Sequence, residues 1–368
     1  MILYVVVIII CLIPLLFGQN KKTLFCSFAL LWIFASLRCD FGDYPGYYYF
    51  WSYAQDKTFK DIFPFINSFS DIFFKKNISS VSSEFGYLFL SKIIPGNFII
   101  FVSVLTAFYI FSAYKLIIKY VPEKYYFLSF ILFIDPIIFL TNLSAMRQTL
   151  ALSFLLLFIP YLIEKKYFMF CLGIILATLC HKSAIVFITL PILYYTLEKK
   201  LYSLIFLFLI CFLPMSMVLF SGGFFQYIDF YNGYIEKGGR GNIMYTIFLI
   251  ILPVFNLYIV DKNNITLFFF VLIYSLIISL RLLCLFPGGG LITRYNLYIE
   301  ELAIVIFPLV AFGFKKIFLR DIFIIFCIFF VITRIILCFA TPERIGSREI
   351  NFLKQNIFVE DFYFYKNN

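Results

Sequence analysis

Long runs of apolar residues follow one another along this chain, near 1–18, 23–39, 97–118, 125–142, 145–163, 167–181, 183–198, 201–220, 243–260, 265–284, 295–313 and 322–340. Most approach the roughly 20 residues a helix needs to cross a bilayer. The run at 167–181 is short, so its neighbours would share some of its depth. In lipid only helices and closed barrels satisfy the backbone, and a barrel would show polar–apolar alternation in segments of roughly ten residues. No such alternation is present. The sequence therefore predicts an all-α polytopic membrane protein with about twelve transmembrane helices. It reads as one integral membrane domain over 1–368. The segments between and after the helices are a long first loop at 40–96 carrying amphipathic helices, shorter loops at 221–242 and 285–294, and a tail at 341–368.

Composition agrees, since 63% of the 368 residues are hydrophobic and 14% charged, against about half and a quarter in soluble domains. The formal charge of +10 does not point to nucleic acid, because the basic residues mostly fall in short groups between apolar runs. Nine cysteines lie in or beside those runs without a CxxC pair, so neither a disulfide framework nor a zinc site is expected. The first run lacks a basic leader and a small-residue cleavage site, and reads as a retained helix.

Orientation follows from the connections. Lys21-Lys22, Lys115 to Lys124, Lys165-Lys166, Lys199-Lys200, Lys262, and Lys315-Lys316 with Arg320 fall on one side of the predicted spans. Short loops rich in lysine and arginine mark the cytoplasm. The long segments, both termini, Arg147 and His181 then lie on the external face. No internal repeat is visible, so an inverted-repeat transporter finds no support.

Charged or titratable residues at the ends of spanning helices are costly, about 2.5–3.5 kcal/mol for arginine at full depth. On one helix, Ser144, Arg147, Gln148 and Ala151 would share a small, polar face turned into the protein. A guanidinium there suits phosphate oxygens; anchoring at the interface is the other reading. His181, the single histidine, could accept a proton from a hydroxyl, or could bond a backbone carbonyl. Nothing beside it completes a metal-ligand set.

Asp43, Tyr44, Tyr47 and Trp51 open the first long loop. Rings beside a carboxylate suit a sugar, while an aromatic belt explains the tyrosines alone. Glu84 in Ser83-Glu84-Phe85-Gly86-Tyr87 precedes an amphipathic run. Arg240 in Lys237-Gly-Gly-Arg240, Arg294 after Gly288-Gly-Gly, and Arg281 add external positive charge that could converge on a polyanion, with glycine loops offering backbone N–H groups. Asp135-Pro136 is expected to pair with Arg281 or Arg334, or else to relay protons.

Asp43-Tyr44 with Tyr47 and Phe50, Glu84-Phe-Gly-Tyr87, Met146-Arg147-Gln148-Thr-Leu-Ala151 and Leu176-Ala-Thr-Leu-Cys-His181-Lys-Ser183-Ala184-Ile185 together resemble the EpsG family of Wzy-type polysaccharide polymerases. Cys180 stands where that family usually has an aromatic residue. The resemblance implies a GT-C-like enzyme of the bacterial inner membrane that joins oligosaccharide repeat units carried on undecaprenyl pyrophosphate at the external side. Arg147, aided by Arg240 and Arg294, would steady the leaving pyrophosphate. His181 or, second, Asp43 would act as base. Gln148, Glu84, Tyr44, Tyr47 and Arg281 would contact substrate. No Asp-rich pair of the kind that holds a divalent metal lies outside, so neither metal nor cofactor is expected. The partners implied are the lipid-linked glycan, membrane lipid, a flippase and a chain-length regulator, with no nucleic acid. A flippase of the same lipid-linked glycan, a lipid-linked glycan ligase and a membrane acyltransferase are the competing classes.

Overall fold

The structure, a computed structural model, describes residues 2–37, 43–63, 84–200, 264–279 and 297–340. Among them every regular element is helical and no strand occurs. In chain order the helices are α1 (Ile2–Leu16), α2 (Lys21–Ser36), α3 (Tyr44–Asp56), α4 (Phe59–Ile62), α5 (Phe85–Ile93), α6 (Phe98–Tyr120) and α7 (Tyr126–Phe133). They continue with α8 (Pro136–Ser144), α9 (Met146–Ile163), α10 (Tyr167–Cys180), α11 (Leu190–Glu198), α12 (Ile265–Ser279), α13 (Ala303–Gly313) and α14 (Ile317–Ala340). The chain divides into two compact units, one of residues 1–158, 172–185 and 322–368, the other of 159–171 and 186–321.

Helices α6 and α9 are each long and apolar enough to cross a membrane. The pair Glu123–Phe133 and Ile138–Ser144, bent by 60°, makes a third if it counts as one broken span. Shorter apolar helices occupy Tyr4–Leu16, Tyr167–Cys180, Ile265–Ser275 and Ala303–Gly313. On α14, Ile322, Ile325, Phe329, Ile332 and Ile336 are exposed, a large apolar face that water would disfavour and lipid would not. Among the described residues the chain is thus all-helical, with the apolar helices of a membrane protein. The predicted runs at 201–220 and 243–260 lie outside the described residues.

Local chemistry sets where helices start. Asn20 Oδ1 accepts from the Lys22 and Thr23 amides at 2.9 and 3.1 Å, and Thr23 Oγ1 accepts from the Asn20 amide at 3.1 Å. This capping box satisfies amide groups that the first turn of α2 leaves orphaned. In the first unit α1 packs on α2, α2 on α6, and α3 on α5. Phe28 of α2 sits edge-on to Phe130 and Phe133 of α7 at 5.2 and 5.0 Å. In the second unit α12 contacts α11 and α13, with Tyr194 edge-on to Phe269 at 5.0 Å.

Of the predicted spans, two are interrupted beside a proline. The run 125–142 breaks between α7 and α8 because Pro136 has no amide hydrogen and its ring disfavours helix at the preceding residue. The Tyr4 hydroxyl donates to the freed Ile134 carbonyl at 2.7 Å. At the same break the Asp135 carboxylate forms an ion pair with Arg334, Oδ2 lying 3.0 Å from Nε, both side chains being 2% exposed. Arg334 was one of the two partners expected from the sequence. The run 183–198 opens as a 3-10 segment over Lys182–Thr189 before α11. Pro191, in the first turn of α11, has no amide hydrogen to donate to the preceding turn, which favours a fresh helix start there.

Candidate functional site

The first unit gathers three of the sequence candidates around one carboxylate. Glu84 Oε2 accepts from Arg147 Nη1, and Glu84 Oε1 lies 2.9 Å from His181 Nδ1. The Glu84 and His181 side chains are 10% and 5% exposed, that of Arg147 17%. A carboxylate this deep in an apolar chain needs opposite charge and donors around it, and it has both.

Each member is placed by its own element. Glu84 precedes α5 at the N-cap position without capping it through its side chain, so the carboxylate is left for partners elsewhere. Gly86, the second residue of α5, determines how close that helix can come. A Cβ there would lie 2.8 Å from Cys180 Sγ and 2.9 Å from the Leu179 carbonyl carbon and oxygen. Only glycine lets α5 rest on the end of α10, which brings Glu84 to His181. Gly173 serves the same purpose further along α10, where a Cβ would overlap Phe158 of α9. At the other end of α10 the chain turns tightly from α9, with Lys165 at φ 60°.

Arg147 stands in the first turn of α9. The start of that helix is fixed by Thr149, whose hydroxyl donates to the Asn142 carbonyl and lies 3.1 Å from that of Ala145. This corrects one expectation: Ser144 ends α8, so it does not share a helix with Arg147, Gln148 and Ala151. The guanidinium lies over the rings of Tyr47 and Phe50 at 5.7 and 5.8 Å. These residues are three apart and share a face of α3. Its Nε is buried without a hydrogen bond. The α9 N-terminus carries the positive end of the helix dipole, which also favours the Glu84 carboxylate. Burial alone would raise the Glu84 pKa, but the Arg147 charge and the His181 ring outweigh it and hold the carboxyl down at about 2.

Lys182, half-buried beside the cluster, has its pKa lowered by burial and partly restored by Glu84. It was not among the sequence candidates. With neutral His181, the side chains Glu84, Arg147 and Lys182 carry one negative and two positive charges, a surplus that suits an anionic substrate. Among the described residues no group of three or more His, Cys, Asp or Glu side chains gathers as a metal site would.

The remaining candidates divide. Gln148 is buried on the same helix as Arg147. Tyr44 packs edge-on to Phe98 at 4.9 Å. Tyr47 is against Tyr87 at 5.3 Å, and the Tyr87 hydroxyl donates to the Tyr47 carbonyl at 3.2 Å. Both rings are buried: Tyr47 lies under the Arg147 guanidinium and against α5, and Tyr44 packs on α6. Glu84 here engages the Arg147 guanidinium and the His181 ring. Asp43 is exposed at the start of α3 and belongs to no ion pair with the three central residues. Arg240, Arg281 and Arg294 lie outside the described residues. Phe50 and Gly86, quoted in the sequence motifs without a role of their own, turn out to shape the cluster, Phe50 under Arg147 and Gly86 against α10. The signal for Gly86 was a lone glycine opening a helix beside a buried acid.

The sequence model of the EpsG family, a family of polysaccharide polymerase-like proteins, matches residues 21–351. No curated protein and no solved structure gives a significant match.

Proposed function

We propose that this chain, which belongs to the EpsG family, polymerises undecaprenyl-pyrophosphate-linked oligosaccharide repeat units into O-antigen, capsule or exopolysaccharide. The observation that carries the reading is the Glu84 carboxylate joining Arg147 to His181 where α9 begins and α10 ends. A base and a fixed cation are thereby held together, which glycosyl transfer from a lipid pyrophosphate requires.

In that reaction the bond between the anomeric carbon and the pyrophosphate oxygen breaks, and a bond to the acceptor sugar oxygen forms. The acceptor hydroxyl loses its proton to His181. The leaving pyrophosphate gains negative charge, which Arg147 stabilises from a position fixed before reaction. Its place over the Tyr47 and Phe50 rings keeps the guanidinium aimed. Lys182 adds charge, and Arg240, Arg281 and Arg294 are the external cations that would complete a polyanion site. Asp43 is the second candidate base, and Gln148 a substrate contact.

The setting we propose is a GT-C-like domain of about twelve spans in the bacterial inner membrane, with the cluster on its external face. A flippase would supply the lipid-linked units and a chain-length regulator would act on the product. The lysine-rich short connections support this orientation. A glycan ligase shares most of the same chemistry, and a flippase of the same lipid shares its substrate.

One assay separates them. Purified protein in proteoliposomes, supplied with lipid-linked repeat units alone, should yield a ladder of lengthening glycans and free lipid pyrophosphate. Units that cross the bilayer without lengthening would instead identify a flippase and remove the polymerase reading.

A further inference from the structure

We infer that Glu84 is a positioning residue that fixes the tautomer of His181, placing the proton on Nδ1 and leaving Nε2 as the atom that receives the acceptor's proton. The inference rests on the reading of His181 as base and adds which ring nitrogen acts and what selects it.

The geometry carries it. The carboxylate divides its two oxygens, Oε2 to Arg147 and Oε1 to His181 Nδ1 at 2.9 Å. Arg147 is always charged and only donates, so it keeps the Glu84 carboxyl ionised. An ionised carboxylate only accepts, so the nitrogen facing it must carry a hydrogen. A neutral imidazole has one N–H, and with that hydrogen on Nδ1 the lone pair is on Nε2. Backbone packing keeps the ring in place: the His181 amide donates to the Ala177 carbonyl at 2.8 Å, and the Ala184 amide donates to the His181 carbonyl at 3.0 Å. Among the described residues, the charged and titratable groups near the ring include Glu84, Arg147 and Tyr47 beyond it, and Lys182 and Cys180 adjacent in the chain. Among these, Glu84 is the one whose side chain faces Nδ1.

A glutamine cannot reproduce this. Its amide has one oxygen and one NH2. With the oxygen on Arg147, the NH2 faces Nδ1, which must then accept, and the proton moves to Nε2. Glu84→Gln is therefore nearly isosteric and opposite in tautomer. Glu84→Asp retains an acceptor-only group for both partners.

The single histidine of the chain makes the test direct, because imidazole 15N signals from histidine-labelled protein report His181 alone. In the full-length protein at alkaline pH, the wild-type spectrum should show a protonated Nδ1 and an unprotonated Nε2. Glu84→Asp should keep that pattern, while Glu84→Gln should invert it. Polymerisation by Glu84→Gln should fall on the order of 10⁴-fold, the scale at which a wrong tautomer disables a carboxylate–histidine dyad, with Glu84→Asp recovering part of the loss. A wild-type proton on Nε2, or an unchanged tautomer in Glu84→Gln, would overturn the assignment. Should Glu84→Gln fail to accumulate, the wild-type spectrum alone decides the tautomer. The expected spectra together with a fully active His181→Ala would overturn the role of Nε2 as proton acceptor and leave the tautomer assignment standing.

Discussion

Arg147→Ala is expected to lower the rate of glycan lengthening by about 10²–10³-fold, the usual loss when one preorganised donor to a developing oxyanion is removed. The effect should fall on turnover more than on binding, because the charge that Arg147 meets grows as the pyrophosphate leaves. The substitution also leaves Glu84 with His181 in place of two partners. Removing one side of a buried ion pair costs about 3–5 kcal/mol, and the remaining histidine contact should keep the loss toward the lower end. Arg147→Lys separates the two consequences. It returns a positive charge to Glu84 but not the planar fork that lies over Tyr47 and Phe50, so stability should recover more fully than activity. Kinetics on lipid-linked units and thermal unfolding in detergent measure the two quantities. Equal activity in all three proteins would remove Arg147 from the reaction.

Gly86→Ala should be nearly as damaging, although Gly86 carries no chemistry. Two of the three atoms that the added Cβ would meet belong to the Leu179 backbone, at 2.9 Å, and backbone cannot rotate away as a side chain can. The helix α5 must therefore move, at a typical overpacking cost of about 1–3 kcal/mol. Glu84 moves with it, and a displacement near 1 Å from reacting geometry can cost about 10²-fold in rate. Cys180→Ala in the same chain should not rescue activity, since the Leu179 contact persists. Gly46→Ala in α3 is the matched control, as a Cβ there meets nothing within 4 Å. Full activity and unchanged unfolding of Gly86→Ala would show that α5 does not need this close approach.

The membrane helices were legible because apolar run length is a local signal. The starts of α2, α6 and α9 fall within a few residues of the runs that predicted them. The helix breaks were written at Pro136 and Pro191, yet a reading by hydropathy passes over them, since both runs stay apolar throughout. Arg147 and His181 were identified by the cost of placing such groups in this chain, and the turn between α9 and α10 returns them to one end. The role of Glu84 could not be seen locally. Its partners stand 63 and 97 residues away, and no periodicity reports a contact across such a distance. The same holds for Asp135, for which the sequence offered two arginines and packing selected Arg334. Tyr44 and Tyr47 show the reverse, since both rings are buried among protein groups. Tyrosines beside an acid look alike in sequence whether they face a sugar or fill the space around a guanidinium.

His181→Ala tests the account most directly. In proteoliposomes loaded with undecaprenyl-pyrophosphate-linked repeat units, the wild-type protein should build a glycan ladder. The variant, folded and still binding the lipid-linked unit, should leave the units unjoined. A ladder formed by His181→Ala at the wild-type rate would contradict the claim that the Glu84–Arg147–His181 cluster is where the glycan is transferred.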